Sequence, residues 1–296
     1  MDLSIVIVSW NISGLLRQCL ESVYAHPPEC LFEVVVVDNN SDDDSVPMVQ
    51  KRYPGVRLFT NRDNLGFARA TNQGIRESSG RYVLLLNGDT IVHQTALSNM
   101  VSCMDLRPDV SILGAYVLNQ DGTTQACFGS FPSLFAEAAF VWGINRLFPF
   151  SLMFPQRPTV VDEFFETDWV LGAAMMVRRD VLNRVGLLDE SYFMYSEEVD
   201  LARRVKNAEG KVCVLRDAHI VHLGGQSTKQ VPAAMKAQLL RSKVKYFYKH
   251  HGAAAAWLLK LIFLSSIYGK KWAYGLLGER EKSRLWSESL RYFAAA

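Results

Sequence analysis

Residues 3–11, L-S-I-V-I-V-S-W-N, and 32–40, F-E-V-V-V-V-D-N-N, decide the fold. Each carries an unbroken Val/Ile run and then stops abruptly at polar residues. A strand with one wet face alternates apolar and polar side chains, whereas an unbroken run marks a strand covered on both faces, as in parallel sheets. Working outward, the pattern recurs at V-R-L-F-T (56–60) and Y-V-L-L-L-N (82–87), with helical patterns between successive runs at 15–25, 46–53 and 67–77. Ligands of such sheets collect at the carboxyl ends of the strands. Ser9-Trp10-Asn11, Asp38-Asn39-Asn40 and Asn87-Gly88-Asp89 stand there.

The rest of the chain extends this α/β plan. A helix follows residue 93, then a strand near 112–118 and a hairpin whose turn contains Asp121-Gly122. Residues 131–166, with F-P-S-L-F and F-P-F-S-L-M-F-P, read as an aromatic flap rather than a core element. Beyond it the patterns predict a strand over 169–177, helices over 179–185 and 196–208, and short strands at 211–215 and 219–222. The expected organisation is a Rossmann-like nucleotide-binding half at 1–92, a second half at 93–228 that completes one catalytic domain, and a basic helical region at 229–296.

A chain of 296 residues that is 49% hydrophobic can bury a full core unaided. Its net charge of +2 excludes a strongly basic nucleic-acid binder and an acidic disordered chain. The charge is unevenly spread, however. Residues 1–228 carry 19 basic and 27 acidic side chains, while 229–296 carry 13 and 3, which points the two parts at different partners. Five scattered cysteines with no C-x-x-C pair argue against zinc or a disulfide framework and suit a reducing cytoplasm. The apolar stretch at 3–10 follows an acid and is too short for a secretory signal. The most apolar later stretch, 253–268, falls short of the roughly 20 residues a span needs, and Lys260 interrupts it. Lysines interleaved with Tyr246, Trp257, Phe263, Trp272 and Trp286 suit peripheral attachment to the anionic inner face of the cytoplasmic membrane.

Four groups of residues carry chemistry. Asp38 can accept hydrogen bonds from a nucleobase imide or a ribose hydroxyl, while Asp42, Asp43 and Asp44 serve a helix start. Asp89, on the short loop after 82–87, is a hard oxygen ligand where a metal-bound diphosphate would lie. Glu197, Glu198 and Asp200 fall in the first turn of a helix behind the aromatic stretch Tyr192-Phe193-Met194-Tyr195. One of the two glutamates is a general-base candidate, and Asp200, three and four residues before Arg203 and Arg204, reads first as a surface ion pair. His222, more than His219, could complete a metal site begun by Asp89, beside glycines 224 and 225 that allow close approach of phosphate.

These segments resemble family 2 glycosyltransferases of GT-A fold, most closely the rhamnosyltransferase-like branch. S-I-V-I-V-S-W-N, V-V-V-D-N-N-S-D-D, N-L-G-F-A-R-A-T-N-Q-G, L-L-L-N-G-D-T, G-A-A-M-M-V-R-R, G-L-L-D-E-S-Y-F-M-Y-S-E-E-V-D-L-A-R-R and V-H-L-G-G-Q-S occur in the family's order over roughly 3–228. The resemblance implies a metal-dependent inverting transfer, with Mg²⁺ or Mn²⁺, from a nucleotide diphosphate sugar to a saccharide hydroxyl in cell-surface polysaccharide assembly. dTDP-L-rhamnose is the first donor it suggests, and a polyprenyl-diphosphate-linked sugar is among the acceptors.

Carried over by position, Ser9, Trp10, Asn11 and Asp38 would hold base and ribose, and Asn64, Gly66, Arg69 and Asn72 would lie beside the nucleotide and its phosphates. Asp89 would be the metal-binding end of a D-x-D-type motif in which Asn87 replaces the first Asp and Gly88 the usual Pro. Glu198 occupies the base position, His222 that of a metal-coordinating histidine, and Trp169, Gly172 and Ala173 the floor beneath donor sugar and acceptor. Two other readings compete. A sugar nucleotidyltransferase would need a Gly-rich, Arg-containing phosphate loop after the first strand, where S-W-N-I-S-G-L-L has one glycine. A non-catalytic nucleotide-sugar-binding protein would show no product formation for a Glu198→Gln variant to lose.

Overall fold

The computed structural model describes residues 1–143, 163–225 and 230–294. It divides into two compact units, one made of Met1–Ser130, Pro158–Ser191 and Glu197–Ser227, the other of Phe131–Arg157, Tyr192–Ser196 and Thr228–Ala296.

In the first unit, strands β1 (Leu3–Ser9), β2 (Phe32–Asp38), β3 (Arg57–Thr60) and β4 (Tyr82–Asn87) form a parallel set in the spatial order β3-β2-β1-β4. Helices α1 (Ser13–Ala25), α2 (Ser45–Arg52) and α3 (Phe67–Arg76) connect them. The unbroken Val/Ile/Leu runs are buried because helices lie on both faces. Ile5, Ile7, Val34, Val36, Leu84 and Leu86 share a cluster with Leu16 and Leu20 of α1 and with Met100 of α4 (Ala96–Leu106). On the opposite face α3 lies so close to β1 that a Cβ on Gly74 would collide with the Val6 side chain.

Past β4 the sheet turns mixed. A short strand β5 (Thr90–Val92) and a long β6 (Val110–Leu118) precede a two-residue β7 (Phe128–Gly129). After β8 (Phe164–Glu166) and β9 (Trp169–Val170) comes β10 (Ala174–Arg178), which inserts antiparallel between β4 and β6. Helices α6 (Arg179–Val185) and α7 (Glu197–Asn207) lead to β11 (Lys211–His222), parallel to β6 and antiparallel to β5 and β8.

Three expectations need correction here, and a fourth is met in short form. The strand expected over 169–177 is two strands, because the chain turns at Gly172-Ala173. The separate strands 211–215 and 219–222 are one, interrupted by a register shift between Leu215 and His219. The hairpin expected at Asp121-Gly122 is present in short form, with the Asn119 amide on the Thr123 carbonyl, the Gln125 amide on the Val117 carbonyl and one bridge between Leu118 and Thr124. Within 131–166, residues Leu134–Val141 form helix α5, with Ser133 Oγ accepting from the Ala136 amide as its N-cap, and β8 joins the sheet; F-P-F-S-L-M-F-P lies outside the described residues.

In the second unit α5 packs with helices α8 (Pro232–His251), α9 (Ala253–Leu276) and α10 (Arg280–Ala294). Leu259, Phe263 and Ile267, spaced four apart, bury one stripe of α9, and Phe263 meets Phe293 of α10 edge-on at 6.4 Å. The Ser266 hydroxyl donates to the Val141 carbonyl at 3.1 Å, and Lys243 pairs with buried Glu137 at 2.7 Å. Gly252, at φ +85°, allows the break between α8 and α9. The apolar segment expected at 253–268 continues through Gly269, so α9 has 24 residues and is long and apolar enough to cross a membrane. Trp257, Tyr268, Trp272 and Leu276 on it are exposed.

Candidate active site

β1, β2, β4 and β11 end at one edge of the sheet, and β10, running the other way, begins there. The Asn87 amide donates to the Ala173 carbonyl at 2.9 Å, so the turn before β10 is fastened to the end of β4.

At the β1–β2 end, Ser9 stands in register with Asp38, and the Asn39 amide donates to the Ser9 carbonyl at 2.8 Å. Asp38 is buried, with one carboxylate oxygen taking the Ser41 amide at 2.9 Å. Its other oxygen and the neighbouring Ser9 hydroxyl are buried with no hydrogen-bond partner. Such orphaned groups suit the hydroxyl or imide of a ligand, since a buried polar atom left unpaired is costly. Asn11, in the left-handed region at φ +53°, accepts the Asp42 amide on its side-chain oxygen at 2.7 Å, which latches the acidic loop to β1. Trp10 is half-buried beside it.

The 61–66 loop is held by Asn39, which stands at the end of β2 next to Asp38. Asn39 donates to Asn64 Oδ1 at 2.8 Å and accepts from the Leu65 amide at 3.0 Å, while Asn64 Oδ1 also takes the Gly66 amide. Gly66 opens α3 at φ +85°. Asn72 is buried, and its amide is spent on Leu188 and Glu190; Leu188 donates back at 3.0 Å. Exposed Arg69 lies 3.6 Å from Glu190, whose carboxyl is held below the usual range by hydrogen bonds from Asn72 and Arg76. These residues fasten segment 187–190 to α3.

The β4–β11 end brings together residues far apart in sequence. Thr90 pairs with His222, and the Leu223 amide donates to the Asp89 carbonyl at 2.9 Å. His222 Nε2 lies 3.2 Å from Asp89 Oδ1 and 3.3 Å from Asn87 Nδ2, with both Asp89 and His222 about 10% exposed. Gly88 is buried, and a Cβ there would lie 2.8 Å from the Ile12 side chain. Gln125 Oε1 contacts His222 Nδ1 at 2.7 Å. Nothing in the local pattern around Gln125 signals this partnership. His219, on the other face of β11, is exposed and meets Tyr116 edge-on.

Asp89 and His222 fit a divalent cation. Two atoms each about 2.1 Å from one ion and at right angles lie about 3 Å apart, close to the separation seen. Among the described residues no group of three or more His, Cys, Asp or Glu side chains could hold a metal, so further ligands would come from water and a bound diphosphate.

Beside this pair the 171–173 turn faces α7. A Cβ on Gly172 would lie 3.6 Å from Glu198 Cβ, so the glycine keeps space open along that side chain. Glu198 is half-buried, whereas its neighbour Glu197 is fully buried with one carboxylate oxygen lacking a hydrogen-bond partner. Burial, then the charge of Glu198, pushes the Glu197 carboxyl well above the usual range. Tyr195 and Ser196, directly before the helix, both adopt positive φ, a strained backbone of the kind found at functional sites. Trp169 anchors its turn by donating to the Ser130 carbonyl at 2.9 Å.

Asp200 departs from the surface pair expected of it. It is fully buried and holds Arg204 at 2.8 Å, while Arg204 donates to the carbonyls of Val185, Gly186 and Leu187. Removing it leaves a largely buried guanidinium unpaired, so Asp200→Ala is expected to cost roughly 3 kcal/mol or more in denaturant unfolding. Wild-type stability in that variant would contradict the assignment.

The description Glycosyl transferase family 2 matches residues 4–186. The chain is 26% identical over 278 residues to an N-acetylglucosaminyl-diphospho-decaprenol L-rhamnosyltransferase of Mycobacterium tuberculosis, covering 87% of this chain and 89% of that protein. It is 24% identical to rhamnosyltransferase WbbL of Escherichia coli, covering 82% of this chain and 91% of that one. Among solved structures, a mannosyltransferase of Pyrobaculum calidifontis in complex with GDP-Man and Mn²⁺ superposes with a TM-score of 0.60 at 16% identity, covering 100% of this chain and 75% of that one. The likeness shows a GT-A fold with a mostly parallel central sheet. With the family match spanning most of the first unit, the chain is a glycosyltransferase and belongs to glycosyl transferase family 2.

Proposed function

We propose that the chain transfers L-rhamnose from dTDP-L-rhamnose, with inversion, to a hydroxyl of a polyprenyl-diphosphate-linked saccharide in cell-surface polysaccharide assembly. The observation that carries this reading is the separation of two chemistries along one sheet edge, with Asp89 and His222 at the end of β4 and Glu198 beside Gly172. The two rhamnosyltransferase relatives support the choice of sugar, and the first supports the acceptor class. Neither the sugar nucleotidyltransferase nor the binding-protein alternative finds support in the family match.

In this reading Ser9 and Asp38 receive the nucleoside through their unpaired oxygens. Asp89 and His222 would hold Mg²⁺ or Mn²⁺, which when bound offsets the charge of the departing diphosphate. Glu198 takes the proton of the acceptor hydroxyl as its oxygen bonds to the anomeric carbon and the bond from that carbon to the diphosphate breaks. Burial, then the charge of Glu198, raises the Glu197 carboxyl well above the usual range, which disfavours a second negative charge beside it. Thermal shift of the purified chain against a panel of nucleotide sugars with Mn²⁺ or Mg²⁺ tests the donor, since a ligand bound to the native state raises stability by mass action. The largest shift is expected with dTDP-L-rhamnose, and a preference for another sugar nucleotide would replace it.

The second unit is proposed to attach peripherally to the cytoplasmic face of the membrane through the basic helices α8–α10 and the exposed aromatics of α9. The full chain is expected to pellet with anionic vesicles at low salt and to be released at high salt as screening grows. Retention after alkaline washing would instead identify α9 as a span, and no pelleting at either salt would overturn attachment.

A further inference from the structure

The turn at 119–125 adds nothing to the core, yet its side chains form a hydrogen-bond chain whose direction is fixed at one end. Asp121, held ionised by the Thr123 amide and hydroxyl, can only accept. The Thr123 hydroxyl donates to Asp121 Oδ1 at 2.6 Å, so its oxygen is left to accept from Asn119 Nδ2 at 2.9 Å. With its NH₂ group turned that way, Asn119 presents Oδ1 to Gln125 Nε2 at 3.0 Å. Gln125 must then present its own carbonyl to the histidine, and Oε1 lies 2.7 Å from His222 Nδ1. An amide oxygen only accepts, so the ring proton belongs on Nδ1. The other ring nitrogen, Nε2, keeps a bare lone pair that faces Asp89 Oδ1 at 3.2 Å and takes the Asn87 NH₂ at 3.3 Å. The backbone holds the turn in place, with the Gln125 amide on the Val117 carbonyl at 2.9 Å and the Asn119 amide on the Thr123 carbonyl at 2.7 Å.

We propose that Asp121, Thr123, Asn119 and Gln125 act as a positioning relay that fixes the tautomer of His222, turning the Nε2 lone pair toward Asp89. Two acceptors that face each other at this distance repel unless a cation lies between them. The relay therefore keeps the pair poised for a divalent ion and makes Gln125 a positioning residue in the sense of outer-shell partners that orient metal-binding histidines. The effect on metal binding rests on the reading of Asp89 and His222 as a metal pair, whereas the tautomer does not.

The test uses the full chain, free of metal and ¹⁵N-labelled at histidine. NMR at a pH where the ring has given up one proton reports which nitrogen keeps the other. The expected result is Nδ1–H with bare Nε2 in the wild type and in Gln125→Glu, which retains an acceptor. Gln125→Leu is expected to move the ring toward Nε2–H and to weaken binding of Mn²⁺ alone, read from the EPR signal of the free ion, by roughly 10- to 100-fold. Thr123→Val leaves His222 and Gln125 untouched and frees the Asn119 amide to turn over, while Gln125 Nε2 keeps its bond to the His222 carbonyl at 3.4 Å, so it should admit less of the Nε2–H form than Gln125→Leu does, and Thr123→Ser should restore the wild-type ring. A wild-type ring protonated on Nε2, or a Gln125→Leu ring unchanged from wild type, would overturn the relay. If the tautomers respond as expected but Mn²⁺ does not bind, the relay stands and the metal reading fails.

Discussion

Glu198→Gln is expected to lower turnover by roughly 10²–10⁴ while leaving nucleotide-sugar affinity little changed, because the amide keeps the size of the side chain but cannot take the acceptor proton. Its neighbour supplies the contrast. Glu197 is buried and its carboxyl is pushed well above the usual range by burial and by the charge of Glu198, so it gives up its proton less readily than an ordinary carboxyl and is the poorer candidate for the base. Glu197→Gln should therefore retain most of the turnover. Because the native state holds the Glu197 proton more tightly than the unfolded chain does, wild-type stability should decline as pH rises above the ordinary carboxylate range, up to the raised value. The Gln variant should lack that part of the decline. Denaturant midpoints across pH for both proteins check the sign, and a steeper alkaline loss in Glu197→Gln would contradict it. If Glu197→Gln is the inactive variant and Glu198→Gln is not, the roles are exchanged.

Asp89→Ala and His222→Ala should each abolish metal-dependent transfer without unfolding the chain. Both residues lie at strand ends outside the apolar cluster, and each supplies half of a protein donor set that has two members among the described residues. With so few protein ligands, affinity for the free ion should be modest, so activity should disappear on chelation and return with added Mn²⁺ or Mg²⁺. Kinetics against metal concentration, with far-UV circular dichroism as a control for folding, check this. Full activity of either variant at low metal would remove that residue from the site.

The strand ends were readable because the cues are local. Unbroken apolar runs stopping at Ser9, Asp38 and Asn87 place those residues at one sheet edge once the runs are taken as parallel strands. Other features depend on pairing that no local pattern encodes. His222 reaches Asp89 only because β11 lies antiparallel to β5, after a register shift that separates its two halves. Gln125 enters through a turn whose sequence signals a hairpin but whose side chains serve the histidine. The Asp200 and Arg204 spacing was legible as an ion pair, yet its burial follows from α7 packing beneath the carbonyls of 185–187. The break at Gly172 was hidden by apolar residues on either side, although that glycine opens the space beside Glu198. The reach of α9 was underestimated because Gly269 and the lysines after it look like an end, whereas the helix runs on to Leu276.

The most direct measurement is transfer of labelled rhamnose by the purified full chain from dTDP-L-rhamnose to N-acetylglucosaminyl-diphospho-polyprenol in the presence of Mn²⁺, with the anomeric configuration of the product determined by NMR. The expected product is a rhamnosylated lipid whose new linkage has the configuration opposite to that of the donor, and Glu198→Gln is expected to lose it. Retained configuration, or transfer at the wild-type rate by Glu198→Gln, would contradict this expectation.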